Sequence, residues 1–249
     1  MTVTEPGGKD KREAAGILVP GLSLIKADIT TVPADFLVTC VGTDGNWNGS
    51  IDRVLKRLTS KEANSHPSLA SLASQTGFHP NLDSAARRTG LREGDLHIVP
   101  SAIADPKSYW ARRKGGEHYS HIGISGTWKF SDLPFDAVAF IMDDLTDPLS
   151  TVIPNGLKVL DEGIVAVRGQ ENLPFDQRAV VTVPLIRTGS RRSAFEQTPE
   201  AAVASLAEGI NTFRRNGARG IREIKVVAYP GNRNISAGML EPIRSATTK

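Results

Sequence analysis

One stretch constrains the fold of this chain more than any other: an apolar, β-branched run that leads into a glycine- and arginine-rich loop. Residues 179–183 (Ala-Val-Val-Thr-Val) have the composition of a strand that is buried on both faces, as in a parallel sheet. Residues 184–193 (Pro-Leu-Ile-Arg-Thr-Gly-Ser-Arg-Arg-Ser) follow, and Thr198 and Pro199 then mark the start of a helix. A strand, a loop with free backbone N–H groups and a helix, in this order, predict an α/β fold with an anion site.

The loop carries three arginines, Arg187, Arg191 and Arg192. A guanidinium group can bind phosphate oxygens through a two-point fork, so this composition suits a phosphate-containing ligand. The alternative is a solvated surface loop without a ligand.

A second strand, glycine loop and helix follow the same plan nearer the N-terminus. Residues 35–41 predict a buried strand, and the apolar spacing at positions 51, 54, 55 and 58 predicts a helix. The loop between them contains Gly42, Gly45, Asn46, Trp47 and Gly49. Its pattern is neither GxGxxG nor GxxxxGK[ST], which excludes a dinucleotide-binding Rossmann domain and a P-loop NTPase.

Further strands are expected at residues 22–27, 95–100, 121–125, 136–142 and 221–229, and a long helix at 199–216. The expected organisation has three parts. Residues 1–16 form a disordered or loosely attached segment, residues 17–236 form a single α/β domain with an enlarged middle region at 101–175, and residues 237–249 form a tail.

Composition and residue spacing argue against several classes of function. The net charge is only +3, and no stripe of Lys and Arg indicates specific nucleic-acid binding. The one cysteine, Cys40, excludes a disulfide framework, and the histidine spacing indicates no zinc site. Asp143 and Asp144 could contribute to a cation site, but without a third clustered ligand they are interpreted as a solvated strand end. No metal and no cofactor is therefore predicted. With no apolar run of membrane length and no signal-peptide core, the expectation is a cytoplasmic protein without a membrane partner.

Three segments together resemble the macrodomain family. Residues 27–30 (Ala-Asp-Ile-Thr) with 34–38 (Ala-Asp-Phe-Leu-Val) are similar to the family's opening GDIT…VDAIV. Residues 184–189 (Pro-Leu-Ile-Arg-Thr-Gly) are similar to its P-x-I-G-T-G loop, and residues 198–215 with 223–229 to its closing helix and strand. The resemblance implies a three-layer α/β/α fold with a mixed, mainly parallel central sheet, whose members bind ADP-ribose and related nucleotides.

The same resemblance implies roles for individual residues. Asp28 would accept a hydrogen bond from the adenine amino group, Ile29 would offer its backbone N–H, and Tyr229 would stack on adenine. The diphosphate and distal ribose would lie against the P-x-I-G-T-G loop and the first glycine loop. The residues expected there are Gly42, Gly45, Asn46, Trp47, Gly49, Ile186, Arg187, Thr188, Gly189, Ser190 and Arg191.

The first glycine loop departs from the family, whose hydrolases carry an NAAN run where this chain has Thr39-Cys40-Val41-Gly42. Three hypotheses therefore stay open. The chain binds an ADP-ribose-type nucleotide or an ADP-ribosylated macromolecule; or it is an ADP-ribosyl hydrolase in which Asp44, Asn48 or Asp52 orients water; or it is a ligand-free interaction domain of a larger protein, with other domains or proteins as partners. The first region is also similar to the N-terminal domain of leucyl-type aminopeptidases, without their metal-binding catalytic domain.

Overall fold

The computed structural model describes residues 16–41, 96–100, 134–171, 178–189 and 192–247. They form a six-stranded sheet with three helices and two short 3-10 helices, at Ile29–Thr31 and Gly238–Leu240. The strands are β1 (Gly21–Lys26), β2 (Ala34–Val41), β3 (Leu96–Pro100), β4 (Phe135–Met142), β5 (Ala179–Pro184) and β6 (Ile221–Ala228). The helices are α1 (Leu149–Glu171), α2 (Pro199–Asn216) and α3 (Glu241–Thr247).

The sheet has the strand order β1-β6-β5-β2-β4-β3. The first five strands in this order are parallel, and β3 pairs with β4 in the antiparallel sense at the edge. The α/β class and the mixed, mainly parallel sheet are thus confirmed. Each strand predicted within the described residues is present, within one or two residues of its expected bounds. The strand expected at 121–125 and the helix at 51–58 lie outside the described residues.

The parallel strands all direct their carboxyl ends to one side of the sheet, which we call the carboxyl edge. From β2 the chain continues to β3 and β4 on one side, whereas from β5 it continues to β6 on the other side. Strands β2 and β5 are neighbours, so the connections diverge between them. Ligands of open α/β sheets bind at this kind of switch point, outside the carboxyl ends of the strands.

The core lies between the sheet and the helices α1 and α2. Alternate residues of the central strands, such as Phe36, Val181 and Ile224, belong to one buried cluster with the apolar stripes of both helices. The opposite face is buried too, because Leu37 and Thr182 are inaccessible to solvent. Burial on both faces explains why β5 is apolar and β-branched throughout.

Helix α1 is an element that the sequence analysis does not predict. Its residues are expected only to belong to the enlarged middle region at 101–175, but they form a helix of 23 residues that includes Pro154. Buried residues at helical spacing lie on both sides of the proline, so the packing of this face favours one continuous helix. They are Leu149, Val152, Ile153, Leu157, Leu160 and Ile164. The end of the middle region, from β4 through α1, is therefore part of the central sheet and core.

Helix α2 has the predicted ends. The Thr198 hydroxyl accepts a hydrogen bond from the backbone N–H of Ala201 (3.2 Å), and Gly217 follows the helix with a positive φ of 76°. Within the segment expected to form a tail, residues 241–247 form α3, whose Ile243 is fully buried against the core. Within the described residues, every helix is too short or too polar to span a bilayer.

Candidate functional site

The candidate site is built from the segments that leave β1, β6, β5 and β4 at the carboxyl edge. We call residues 143–148, between β4 and α1, the β4 loop, and residues 185–198, between β5 and α2, the β5 loop. Residues 190 and 191 of the β5 loop are outside the described residues. Both loops lead into helix N-termini, where the helix dipole favours negative charge.

Asp28 and Tyr229 are brought together because they follow neighbouring strands. The backbone N–H of Ala27 donates to the carbonyl of Ala228 (3.2 Å), which continues the β1–β6 pairing to the residues just before them. Asp28 Oδ1 accepts from the backbone N–H of Thr30 (3.1 Å) and from the Thr30 hydroxyl (2.8 Å). These bonds cap the 3-10 helix that begins at Ile29, so they fix the direction of the carboxylate.

Tyr229 is 49% exposed, unusually open for a large ring beside a buried strand. Its ring lies against Gly231: a Cβ on that glycine would come within 2.5 Å of the Tyr229 Cε1 atom and 2.9 Å of Cζ. The turn after β6 therefore contacts one edge of the ring.

The start of the β5 loop is buried and tightly turned. Ile186 and Thr188 are buried, and the Thr188 hydroxyl donates to the carbonyl of Leu185 (3.3 Å). Arg187 has a φ of +56°, the left-handed conformation that glycine adopts most easily. Gly189 differs from its neighbours, because a Cβ built on it would meet no atom of the described residues within 4 Å, its chain neighbours aside. Among the described residues, the space beside Gly189 is therefore open.

The Arg187 guanidinium is enclosed, with a side-chain exposure of 2%. Its Nε and Nη2 atoms donate to Asp143 Oδ2 (3.2 Å) and Oδ1 (2.5 Å), and Nη1 donates to the Asp147 carbonyl (2.8 Å) and to Glu196 Oε2. The sequence-based expectation that this guanidinium binds phosphate does not fit this geometry, because Asp143 occupies its two-point fork and Nη1 already donates to Asp147 and Glu196.

Glu196 is the second carboxylate bound to Arg187, after Asp143. Its carboxylate accepts hydrogen bonds from the hydroxyls of Ser193 and Ser205 and from the backbone N–H of Leu149 (2.8 Å). Burial alone would raise the pKa of Glu196, but the hydrogen bonds from Ser193, Leu149, Ser205 and Arg187 together lower it below the ordinary value. We call the five side chains Asp143, Arg187, Ser193, Glu196 and Ser205 the Arg187 cluster.

The acidic pair after β4 differs from the expected solvated strand end. Asp144 is exposed, but Asp143 is buried and held by Arg187. Among the residues that the structure describes, no three His, Cys, Asp or Glu side chains come together in a way that could hold a metal ion.

Arg192 is exposed and lies along its own loop. Its Nε donates to the Gly189 carbonyl (2.8 Å) and its Nη1 to the Gln197 carbonyl (2.8 Å). The remaining candidate residues fall outside the described ranges: Gly42, Asp44, Gly45, Asn46, Trp47, Asn48, Gly49, Asp52, Ser190 and Arg191. Ser193, Glu196 and Ser205 were not among the candidates. Only Arg187 and the Asp143–Asp144 pair gave a sequence signal for this cluster.

Comparison with solved structures identifies the fold. The Oceanobacillus iheyensis macrodomain with MES bound aligns with a TM-score of 0.51 and 13% identity, over 93% of each chain. The same macrodomain with ADP gives a TM-score of 0.50 and 14% identity, over 93% of this chain and 92% of that one. A point mutant of that macrodomain with ADPR gives a TM-score of 0.51 and 12% identity, over 93% of this chain and 94% of that one.

No protein-family model matches the chain, and no curated protein matches it in sequence. The chain therefore has a divergent macrodomain-like fold, as the three sequence segments suggest. The resemblance to the aminopeptidase N-terminal domain is not shown by these comparisons.

Proposed function

We propose that this protein binds an ADP-ribose-type nucleotide at the carboxyl edge of its sheet. The observation that carries the proposal is the order of three features along neighbouring strands. The capped carboxylate of Asp28 follows β1, the exposed ring of Tyr229 follows β6, and Gly189, which no other part of the described chain covers, follows β5. Strands lie about 4.8 Å apart, so this row extends over about 10 Å and suits an elongated ligand.

Each feature matches one part of such a ligand. Asp28 accepts a hydrogen bond from the exocyclic amino group of adenine, and the backbone N–H of Ile29 donates to the ring. Tyr229 stacks on the base, and Gly231 lies against the Cε1–Cζ edge of its ring. The diphosphate lies against the backbone of the β5 loop, near the N-terminus of α2. The solved macrodomain structures with ADP and with ADPR support this choice of ligand class.

The other candidate contacts are part of the same proposal. The first glycine loop, with Gly42, Gly45, Asn46, Trp47 and Gly49, follows β2 in the sequence, and its residues are proposed to contact the diphosphate and the distal ribose. Ser190 and Arg191 are proposed to contact the phosphates. Asp44, Asn48 and Asp52 are the residues to substitute if turnover of the ligand is observed.

The decisive experiment is calorimetric titration of the protein with ADP-ribose and with its inosine analogue, in which a 6-oxo group replaces the 6-amino group. The wild-type protein should bind ADP-ribose at least tenfold more tightly, because only adenine donates to Asp28 and such charge-assisted bonds contribute about 1.5–3 kcal/mol. In D28A that preference should disappear. E208A, an exposed acidic residue on α2, is the control and should keep it.

Absence of heat and of a thermal shift with ADP-ribose, ADP, AMP and NAD would overturn the proposal. Binding with no base preference in the wild-type protein would reject the role of Asp28 alone. A turnover assay with ADP-ribosylated protein then separates a binding module from a hydrolase.

A further inference from the structure

We infer that Arg187 is a positioning residue: its guanidinium holds the β5 loop in its left-handed turn before a ligand arrives, and phosphates meet the loop backbone and not this guanidinium. The statement about phosphates rests on the proposed function. The statement that Arg187 holds the loop does not depend on it. The first observation is the φ of +56° at Arg187, a conformation that side chains other than glycine, asparagine and aspartate seldom adopt. The resembled P-x-I-G-T-G motif carries glycine at this position.

A residue with a Cβ keeps such a conformation only where its surroundings determine it. Here the determinant is the set of bonds from the guanidinium to Asp143, to the Asp147 carbonyl and to Glu196. The first two partners belong to the β4 loop, and Glu196 lies at the far end of the β5 loop. One side chain therefore joins the start of the β5 loop to its end and to the neighbouring loop.

The cluster is anchored in turn to both helices. Glu196 Oε1 accepts from the backbone N–H of Leu149, the first residue of α1 (2.8 Å), and from the hydroxyl of Ser205 in α2 (2.8 Å). The Ser205 hydroxyl also accepts from the backbone N–H of Ser150 (3.0 Å). Because these contacts end on elements of the core, Arg187 holds the loop against a rigid frame.

The charge of the Arg187 cluster favours a positioning role for Arg187 over direct phosphate binding. The buried cluster contains one guanidinium and two carboxylates, so its formal charge is negative. Such a group has no surplus positive charge to offer an anion, and its guanidinium plane is already filled by a two-point contact with Asp143. The phosphate donors available from this part of the loop are therefore backbone N–H groups. The arginine that replaces glycine acts through the shape of the loop.

The test compares R187G, R187A and R187K with the wild-type chain. Hydrogen exchange is followed in peptides that cover residues 185–189, and ADP-ribose affinity is titrated at several salt concentrations. We expect exchange at least tenfold faster in R187G and R187A alike, with partial recovery in R187K, which restores the charge without the fork. R187A is essential because alanine removes the guanidinium without adding the flexibility of glycine. R215A, an exposed arginine at the end of α2, should exchange like the wild-type chain.

Affinity for ADP-ribose should fall at least tenfold in R187A, while the dependence of affinity on salt stays that of the wild-type protein. Unchanged loop exchange with a weaker salt dependence would show direct phosphate contact and overturn the inference. Unchanged exchange and unchanged affinity would overturn it as well. If the single variants do not fold, the neutral triple variant D143N/R187A/E196Q gives the same exchange readout. If the wild-type protein binds no ADP-ribose, the proposed function fails while the exchange data still decide the role of Arg187.

Discussion

At the scale of single residues, Arg187 combines an unfavourable backbone conformation with a favourable buried ion pair. The left-handed backbone costs about 1–2 kcal/mol in a residue that has a Cβ. Removing one partner of a buried ion pair costs about 3–5 kcal/mol, because the remaining charge is left unpaired. The second effect is larger, which explains how an arginine is retained where a tight turn favours glycine.

The pH dependence of stability should reveal Glu196. Its pKa is lowered in the folded protein, so its contribution is complete above the ordinary value of 4.5 and is lost as the pH falls through the lower, folded value. We expect urea unfolding of the wild-type chain to lose stability more steeply below pH 4.5 than that of E196Q. The mutant itself should be less stable at neutral pH. Parallel curves in the two proteins would contradict this assignment.

Gly189 offers a substitution that separates binding from folding. Among the described residues, no atom beyond the chain neighbours lies within 4 Å of a Cβ built there, and the φ of Gly189 is outside the left-handed region, so G189V should change the free energy of unfolding by less than about 1 kcal/mol. Its side chain would occupy the space proposed for the diphosphate, so ADP-ribose affinity should fall at least tenfold. G238V, at a glycine with equally open surroundings outside the proposed site, is the matched control. Equal affinities in the two variants would move the ligand away from the β5 loop.

Residue-level prediction from sequence was good for capping and poor for long-range pairing. Thr198 and Gly217 act within one helical turn, where local rules apply. Arg187 is different, because its partner Asp143 is 44 residues away. From sequence alone, an arginine in a loop is expected to be exposed to solvent, because only the folded chain places Asp143 next to it.

At the scale of elements, β-strands were predictable because each is a short, β-branched run that the sheet buries. Helix α1 was not predictable in the same way. Pro154 and Gly156 suggest an interruption, whereas packing against α2 and β4 favours a continuous helix. Gly156 is needed there, since a Cβ at this position would collide with the Ile141 Cδ1 atom. Tertiary contacts outweighed local propensity in this segment.

The close approach of α1 and α2 gives a prediction about Gly209. Alanine is normally favoured over glycine in a helix by about 1 kcal/mol. At this position, however, a Cβ would come within 2.7 Å of the Leu149 carbonyl oxygen, which is rigid backbone. We expect G209A to lower the free energy of unfolding by about 1–3 kcal/mol. The effect should appear in urea unfolding, with G238A as a neutral comparison; a more stable G209A would mean that the helices can separate without cost.

At the scale of the whole molecule, the segment from Gly238 to Thr247, with helix α3, packs against the core. Arg214 of α2 donates to the Ala246 carbonyl (2.7 Å), and Leu240 and Ile243 are buried against the core. Sequence alone indicates only a tail here, because α3 has seven residues and a weak pattern. The proposed place of the site, in contrast, rests on the order of strands and loops, which the motifs at residues 27–38 and 184–189 indicated.

I243A tests this contribution. A fully buried isoleucine replaced by alanine loses apolar contact and leaves a cavity, at a cost of about 2–5 kcal/mol. The melting temperature should fall by several degrees, and S245A on the same helix should leave it almost unchanged. A melting temperature equal to that of the wild-type chain would show that α3 can detach from the domain.

The Arg187 cluster also constrains the order in which its residues could have been substituted during evolution. An ancestor with glycine at position 187 and both carboxylates would have buried two unpaired negative charges, and one with arginine but neither carboxylate would have buried an unpaired positive charge. Each order of substitution passes through an unfavourable intermediate unless a neutral residue such as asparagine or glutamine comes first. The three positions should therefore be inherited as a unit, so that chains with glycine at this position carry neutral residues in place of Asp143 and Glu196.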